Sequence, residues 1–155
     1  MITRPGYAMA LILTACGGGA AVDPVRPVGS AAGAVRGFLE AVADSNLAKM
    51  ASLWGTARGP ASQTRQPPDY ERRIAVMQAY LQHDDSRIAA DTPSGEGNRH
   101  EIQVELRRQA CTVTVPFVAI RATDGNWLVN QVDLTAAGNP SRPCQPGQRD
   151  STTSQ

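Results

Sequence analysis

The sequence predicts an α+β domain, three N-terminal helices packed on a curved antiparallel sheet of about four strands. Two observations carry that expectation. The spacing of apolar residues changes from about 3.6 to about 2 near residue 84, the switch from helical to extended periodicity. The composition is that of one core: 155 residues, 41% hydrophobic and 19% charged, with 15 Lys and Arg against 14 Asp and Glu. Such a balance fits an ordinary globular domain rather than a repeat array or a disordered chain. A formal charge of +1 provides no basic face for nucleic acid, and two histidines leave little material for a metal site. Neither a nucleic-acid partner, a metal nor a cofactor is expected.

Each element has its own local signal. Ser30 is a good N-cap type, and Val35, Phe38, Leu39 and Val42 recur at i, i+3, i+4 and i+7, the stripe of an amphipathic helix. Asp44, Ser45 and Asn46 break it. Leu47, Met50, Ala51 and Trp54 repeat the spacing over a shorter helix that ends before Gly55, with Lys49 and Ser52 on its polar face. Gly55 to Pro68 reads as a loop. Pro67, Pro68 and Asp69 open a third helix in which Tyr70, Ile74, Met77 and Leu81 share a face, while Glu71, Arg72 and Gln78 face water.

From there the alternation is extended. A weak strand is expected over Ser86 to Asp91, then a turn through Pro93, Gly95 and Gly97. Ile102, Val104 and Leu106 alternate with Glu101, Gln103, Glu105 and Arg107, the pattern of a strand with one wet face. Cys111 to Arg121 is a longer strand, with Val113, Val115 and Phe117 on one side. Pro116 within it removes a ladder donor and predicts an edge position or a nearby bulge. Asp124, Gly125 and Asn126 form a turn signal, and Trp127 to Leu134 is the returning strand. Phe38, Leu39, Trp54, Ile74, Met77 and Trp127 are expected in the core.

The amino terminus has a different character. Arg4 precedes a short apolar run, Tyr7 to Leu13, that is far below the roughly 20 residues a membrane-spanning helix needs. Leu13-Thr14-Ala15-Cys16 follows directly and resembles the lipobox of bacterial lipoproteins. That resemblance implies cleavage after residue 15 and lipidation of Cys16, whose acyl chains anchor the chain more firmly than one myristoyl group does. Gly17 after the cysteine implies, by the same resemblance, an outer-membrane destination facing the periplasm if the cell is diderm. Cleavage also removes Arg4, leaving no formal net charge for electrostatic membrane binding.

The expected organisation is therefore a signal peptide over 1–15, a lipidated Cys16 and flexible tether over 16–30, a domain over 31–134 and an irregular tail over 135–155. The tether is rich in Gly, Ala and Pro and reaches about 20 Å as a flexible coil. With Cys16 assigned to lipid by the lipobox resemblance, and the domain exported from the reducing cytosol, Cys111 and Cys144 are expected to pair. Two free thiols are the alternative.

Three segments together, Ala34 to Val42, Leu47 to Trp54 and Asp124 to Val129, resemble the NTF2-like superfamily, a cone-shaped α+β fold. The resemblance covers about 31–134 and implies a pocket in the cone, but not one chemistry, because the fold hosts enzymes and binding modules alike. Proton-moving members need a carboxylate base in the cone beside neutral donors. Candidates here are the cluster His83, Asp84 and Asp85 after the third helix, which also reads as a solvated helix end, and Asp133, which alternates with Gln131 against Asn130 and Val132 in an open register. Tyr70 and Tyr80 lie on different sides of the third helix. Arg72-Arg73 and Arg107-Arg108 read as solvated pairs. The resulting expectation is a membrane-anchored, non-enzymatic module that binds a small apolar molecule or another envelope protein. The alternative is an envelope enzyme of isomerase or hydratase type.

Overall fold

The computed structural model describes residues 29–95, 97–109, 111–142 and 144. The expected signal peptide, Cys16 and nearly all of the tether lie outside these residues, as does the end of the tail.

The first helix, α1 (Ala31–Ala43), is capped by Ser30, whose hydroxyl accepts from Gly33 N at 3.0 Å. Its apolar stripe is buried in full: Val35, Phe38, Leu39 and Val42 all reach the core. The second, α2 (Leu47–Leu53), begins at Asn46, whose side chain accepts from Lys49 N. Met50, Ala51 and Trp54 are buried as their spacing predicts, but Leu47 is 43% exposed.

The stretch read as a loop is built differently. Gly55–Thr56 (β1) pairs with Gly59–Pro60 (β2), and Ala61–Thr64 forms a one-turn helix, α3. The tight pairing needs the glycine. A Cβ on Gly55 would collide with the backbone of Gly59 and lie 2.8 Å from Pro60 Cα. Two-residue strands carry too short a pattern for periodicity to register. The next helix, α4 (Tyr70–Leu81), turns Tyr70, Ile74, Met77 and Leu81 inward. Among the described residues, four helices thus precede residue 84 instead of three.

The main sheet is an antiparallel meander of β3 (Asp85–Ser94), β4 (Arg99–Arg108), β5 (Cys111–Arg121) and β6 (Trp127–Val132), in that spatial order. The strand expected over 86–91 is longer at both ends and carries a bulge between Ile88 and Ala90. Ile102, Val104 and Leu106 face Val113, Val115 and Phe117 in register, and this face packs on α1. Burying each such side chain contributes about 1.5–3 kcal/mol.

Pro116 sits in a central strand, with the register break two residues on, between Val118 and Ala119. Its carbonyl accepts from Asp133 N, so its ring nitrogen faces the side where β6 has already ended at Val132. The missing donor therefore costs no ladder bond. At the β5–β6 turn, Gly125 has φ +87° and Asp124 accepts from Asn126 N and Nδ2 at 3.0 and 2.8 Å.

The returning strand stops two residues earlier than expected. Asp133 leaves the sheet and caps a final short helix, α5 (Leu134–Ala137), through bonds from Thr135 N and Ala136 N. Thr135 to Ala137 are thus helical, although composition placed them in the irregular tail. Cys111 and Cys144 are joined by a disulfide with a Cα–Cα separation of 5.4 Å, which returns the chain to the start of β5. No helix among the described residues is long and apolar enough to cross a membrane.

Candidate functional site

The inner face of the sheet is filled. Phe38, Leu39 and Val42 from α1 meet Ile102, Val104, Leu106, Val115, Phe117 and Val129, all essentially without solvent exposure. One opening among the described residues lies at the flank, between α4 and β6. A groove of about 390 Å³ has Trp54, Met77, Val132 and Leu134 as its apolar lining and Arg72 and Arg73 at its rim. That volume falls within the roughly 300–1,000 Å³ of small-molecule sites.

Each lining side chain has a local cause. Trp54 follows α2 in extended conformation and makes a parallel bridge with Val129, which sets its ring beside β6. Asn130 donates from Nδ2 to Gly55 O at 2.8 Å and so clamps β1 to the same strand. Asn130 and Val132 are the half-buried pair of the last strand, while Gln131 and Asp133 are exposed. Asp69 does not cap α4 with its side chain. Both its oxygens accept instead from Arg73 Nε, at 3.0 and 3.1 Å. The Arg73 hydrogen bond, with the positive charge of Arg73 and then Arg72, holds the Asp69 carboxyl below its usual value.

The sequence candidates do not assemble into an acid–base site. His83 Nδ1 donates to Leu81 O at 2.8 Å, Asp84 Oδ2 accepts from Gln109 N at 2.6 Å, and Asp85 lies 3.9 Å from Arg107 Nε. The three groups turn to three separate partners, because consecutive residues leaving a helix point in different directions. Asp133, read as a residue of the last strand with access to the cone, is exposed and spends its carboxylate on the cap of α5. Tyr70 donates to Glu71 Oε1, and Tyr80 offers its backbone carbonyl to Arg108, so the tyrosines do not converge. Among the described residues, no three His, Cys, Asp or Glu side chains are grouped so as to hold a metal ion.

Arg108 corrects the reading of Arg107-Arg108 as a solvated pair. Arg107 is exposed, but Arg108 is 5% exposed. Its Nε donates to Gln82 O at 2.7 Å, Nη1 to Ala137 O at 2.8 Å, and Nη2 to Tyr80 O. These carbonyls lie at the C-terminal ends of α4 and α5, where the helix dipoles favour a cation. Burial lowers the Arg108 pKa from its ordinary value. The signal was present in the pattern: the alternation of Ile102, Val104 and Leu106 continues to residue 108 and places it inward. The same alternation turns His100 inward, where Nδ1 meets Asp91 Oδ1 at 2.5 Å and the ring stands edge-on to Trp127 at 4.8 Å. The groove residues Arg72 and Val76 also carried a signal, an exposed arginine four positions before an apolar residue on one helix.

These features define, among the described residues, an α+β domain with a filled sheet–helix interior and an apolar groove at its flank. Comparison with protein families, with characterised proteins and with solved structures finds no match to the chain.

Proposed function

We propose that this chain is a bacterial lipoprotein, anchored through Cys16, whose NTF2-like domain is a non-enzymatic binding module of the cell envelope for a small apolar molecule. The observation that carries the binding role is the groove itself: an apolar floor of Trp54, Met77, Val132 and Leu134, open at the surface and of small-molecule size. The helices-then-meander order and the packing of α1 on the sheet support the NTF2-like reading. The isomerase or hydratase alternative needs an inward carboxylate beside a second donor. Asp133 and the His83 to Asp85 cluster are committed to other bonds, so no observation favours it.

Anchoring is tested by metabolic palmitate labelling of the wild type and of Cys16→Ser. Label is expected only in the wild type, and equal labelling overturns the lipoprotein assignment. Binding is tested by purifying the wild type and Val76→Asp from native envelopes, extracting each with organic solvent and comparing the extracts by mass spectrometry. An apolar compound enriched with the wild type and lost with Val76→Asp is expected. Identical extracts, or a co-purifying protein with no small molecule, overturn the ligand role.

A further inference from the structure

The groove at the flank of α4 offers more than apolar contact. Two guanidiniums stand at its rim, and the carboxylate of Asp69 there is engaged by Arg73. Arg72 makes no hydrogen bond or ion pair within 4.0 Å among the described residues: its charge acts on the Asp69 carboxylate, but the hydrogen bonds of that carboxylate go to Arg73 and the Arg72 donors stay open at the rim. One turn along the same helix, Val76 is 40% exposed over the groove floor, beside the buried Met77. A second, more open depression shares Val76 and Leu134 with the first and continues to Tyr80. The eight-residue step from Arg72 to Tyr80 spans about 12 Å of helix.

We infer that the groove takes a monoanionic amphiphile, a carboxylate-headed chain whose head meets Arg72 and whose apolar body runs over Val76 toward Tyr80. This specifies the ligand class of the small-molecule reading above and rests on it. Charge complementarity selects the head: a carboxylate neutralises the exposed guanidinium and accepts two parallel N–H bonds from its planar fork. A neutral head leaves Arg72 as it was, and a cationic head is repelled. The length of the depression selects a linear body rather than a compact one.

The test uses the full chain carrying Cys16→Ser, so that no attached acyl chain competes, titrated calorimetrically with decanoate and with decanol below their aggregation limits. Decanoate is expected to bind about tenfold more tightly than decanol, the scale of a charge-assisted hydrogen bond, and to weaken with added salt. Arg72→Ala removes that difference without changing decanol affinity, and Val76→Asp weakens both ligands. Both positions are exposed, and thermal unfolding checks that each variant folds. Equal affinity for the two probes overturns the anionic head, and selectivity that survives Arg72→Ala overturns Arg72 as its partner, while the apolar groove stands in both cases. Failure of both probes to bind overturns the groove as a linear-amphiphile site, and the envelope extracts then decide the broader ligand role separately.

Discussion

Arg108 Nη1 donates to the carbonyl of Ala137 at 2.8 Å, a buried bond that joins the end of β4 to the end of α5. Its other two contacts reach the end of α4, so one side chain ties three elements together. Lysine cannot reproduce this, because its single ammonium lacks the planar spread of donors. Arg108→Ala is expected to destabilise the fold by about 2–4 kcal/mol, as hydrogen bonds from a charged donor are lost and carbonyls are left unmet. Arg108→Lys should recover part of that loss. Urea unfolding followed by circular dichroism measures both, and a change within error for Arg108→Ala would contradict the role.

The disulfide acts on the same segment from the other side. Cys111 and Cys144 are separated by 33 residues in sequence, and closing such a loop stabilises the fold by about 3.7 kcal/mol through the lost entropy of the unfolded chain. The double variant Cys111→Ala, Cys144→Ser is expected to lose most of that stability. It should also become susceptible to proteolysis between Gly138 and Arg142. Because Arg108 holds α5 in the same region, combining the cysteine changes with Arg108→Lys should give a non-additive loss in a double-mutant cycle.

Gly55 and Asn130 hold the β1–β2 hairpin against the last strand. Gly55→Ala introduces a Cβ into the backbone of Gly59 and Pro60 and is expected to cost about 1–3 kcal/mol by overpacking. Asn130→Ala removes the bond to Gly55 O and should cost about 1 kcal/mol. Amide hydrogen exchange would show the loss concentrated at the partners of β1. Protection unchanged in both variants would contradict the clamp.

Two exposed carboxyl groups add an acid dependence to stability. Asp124 is held below its usual pKa of 3.8 by the backbone and then the side-chain bonds from Asn126, and Asp69 by the bond from Arg73. With folded values below the unfolded ones, their contribution is complete above the unfolded value and is lost as pH falls through the folded one. Stability should therefore hold with respect to these groups near neutrality and decline below about pH 4, a decline softened in Asp124→Asn. Carboxyl-carbon NMR titration reads each site directly. A midpoint for Asp124 at or above 3.8 would overturn its assignment.

Periodicity reads a single side of a single element, and the sequence was legible where that suffices. The stripe of Val35, Phe38, Leu39 and Val42 specifies α1, and the alternation of Ile102, Val104 and Leu106 specifies β4, because each repeat spans enough residues to define a face. The hairpin at Gly55 to Pro60 has too few residues for a repeat. Its existence depends on the close approach of Gly55 to Gly59 and on Asn130, 75 positions away, donating to Gly55 O.

The candidate site divides in the same way. The sequence by itself determined that Arg72 lies on the helix that opens at Asp69 and that Trp54 ends an apolar stripe, whereas Arg107-Arg108 reads from it as a solvated pair. Only tertiary structure decided that Trp54 is set beside β6 by its bridge to Val129, that Arg73 rather than Arg72 takes Asp69, and that Arg108 meets two helix ends. Local preference acts within a few residues along the chain. A groove and a buried cation instead depend on which distant elements the shared core brings side by side.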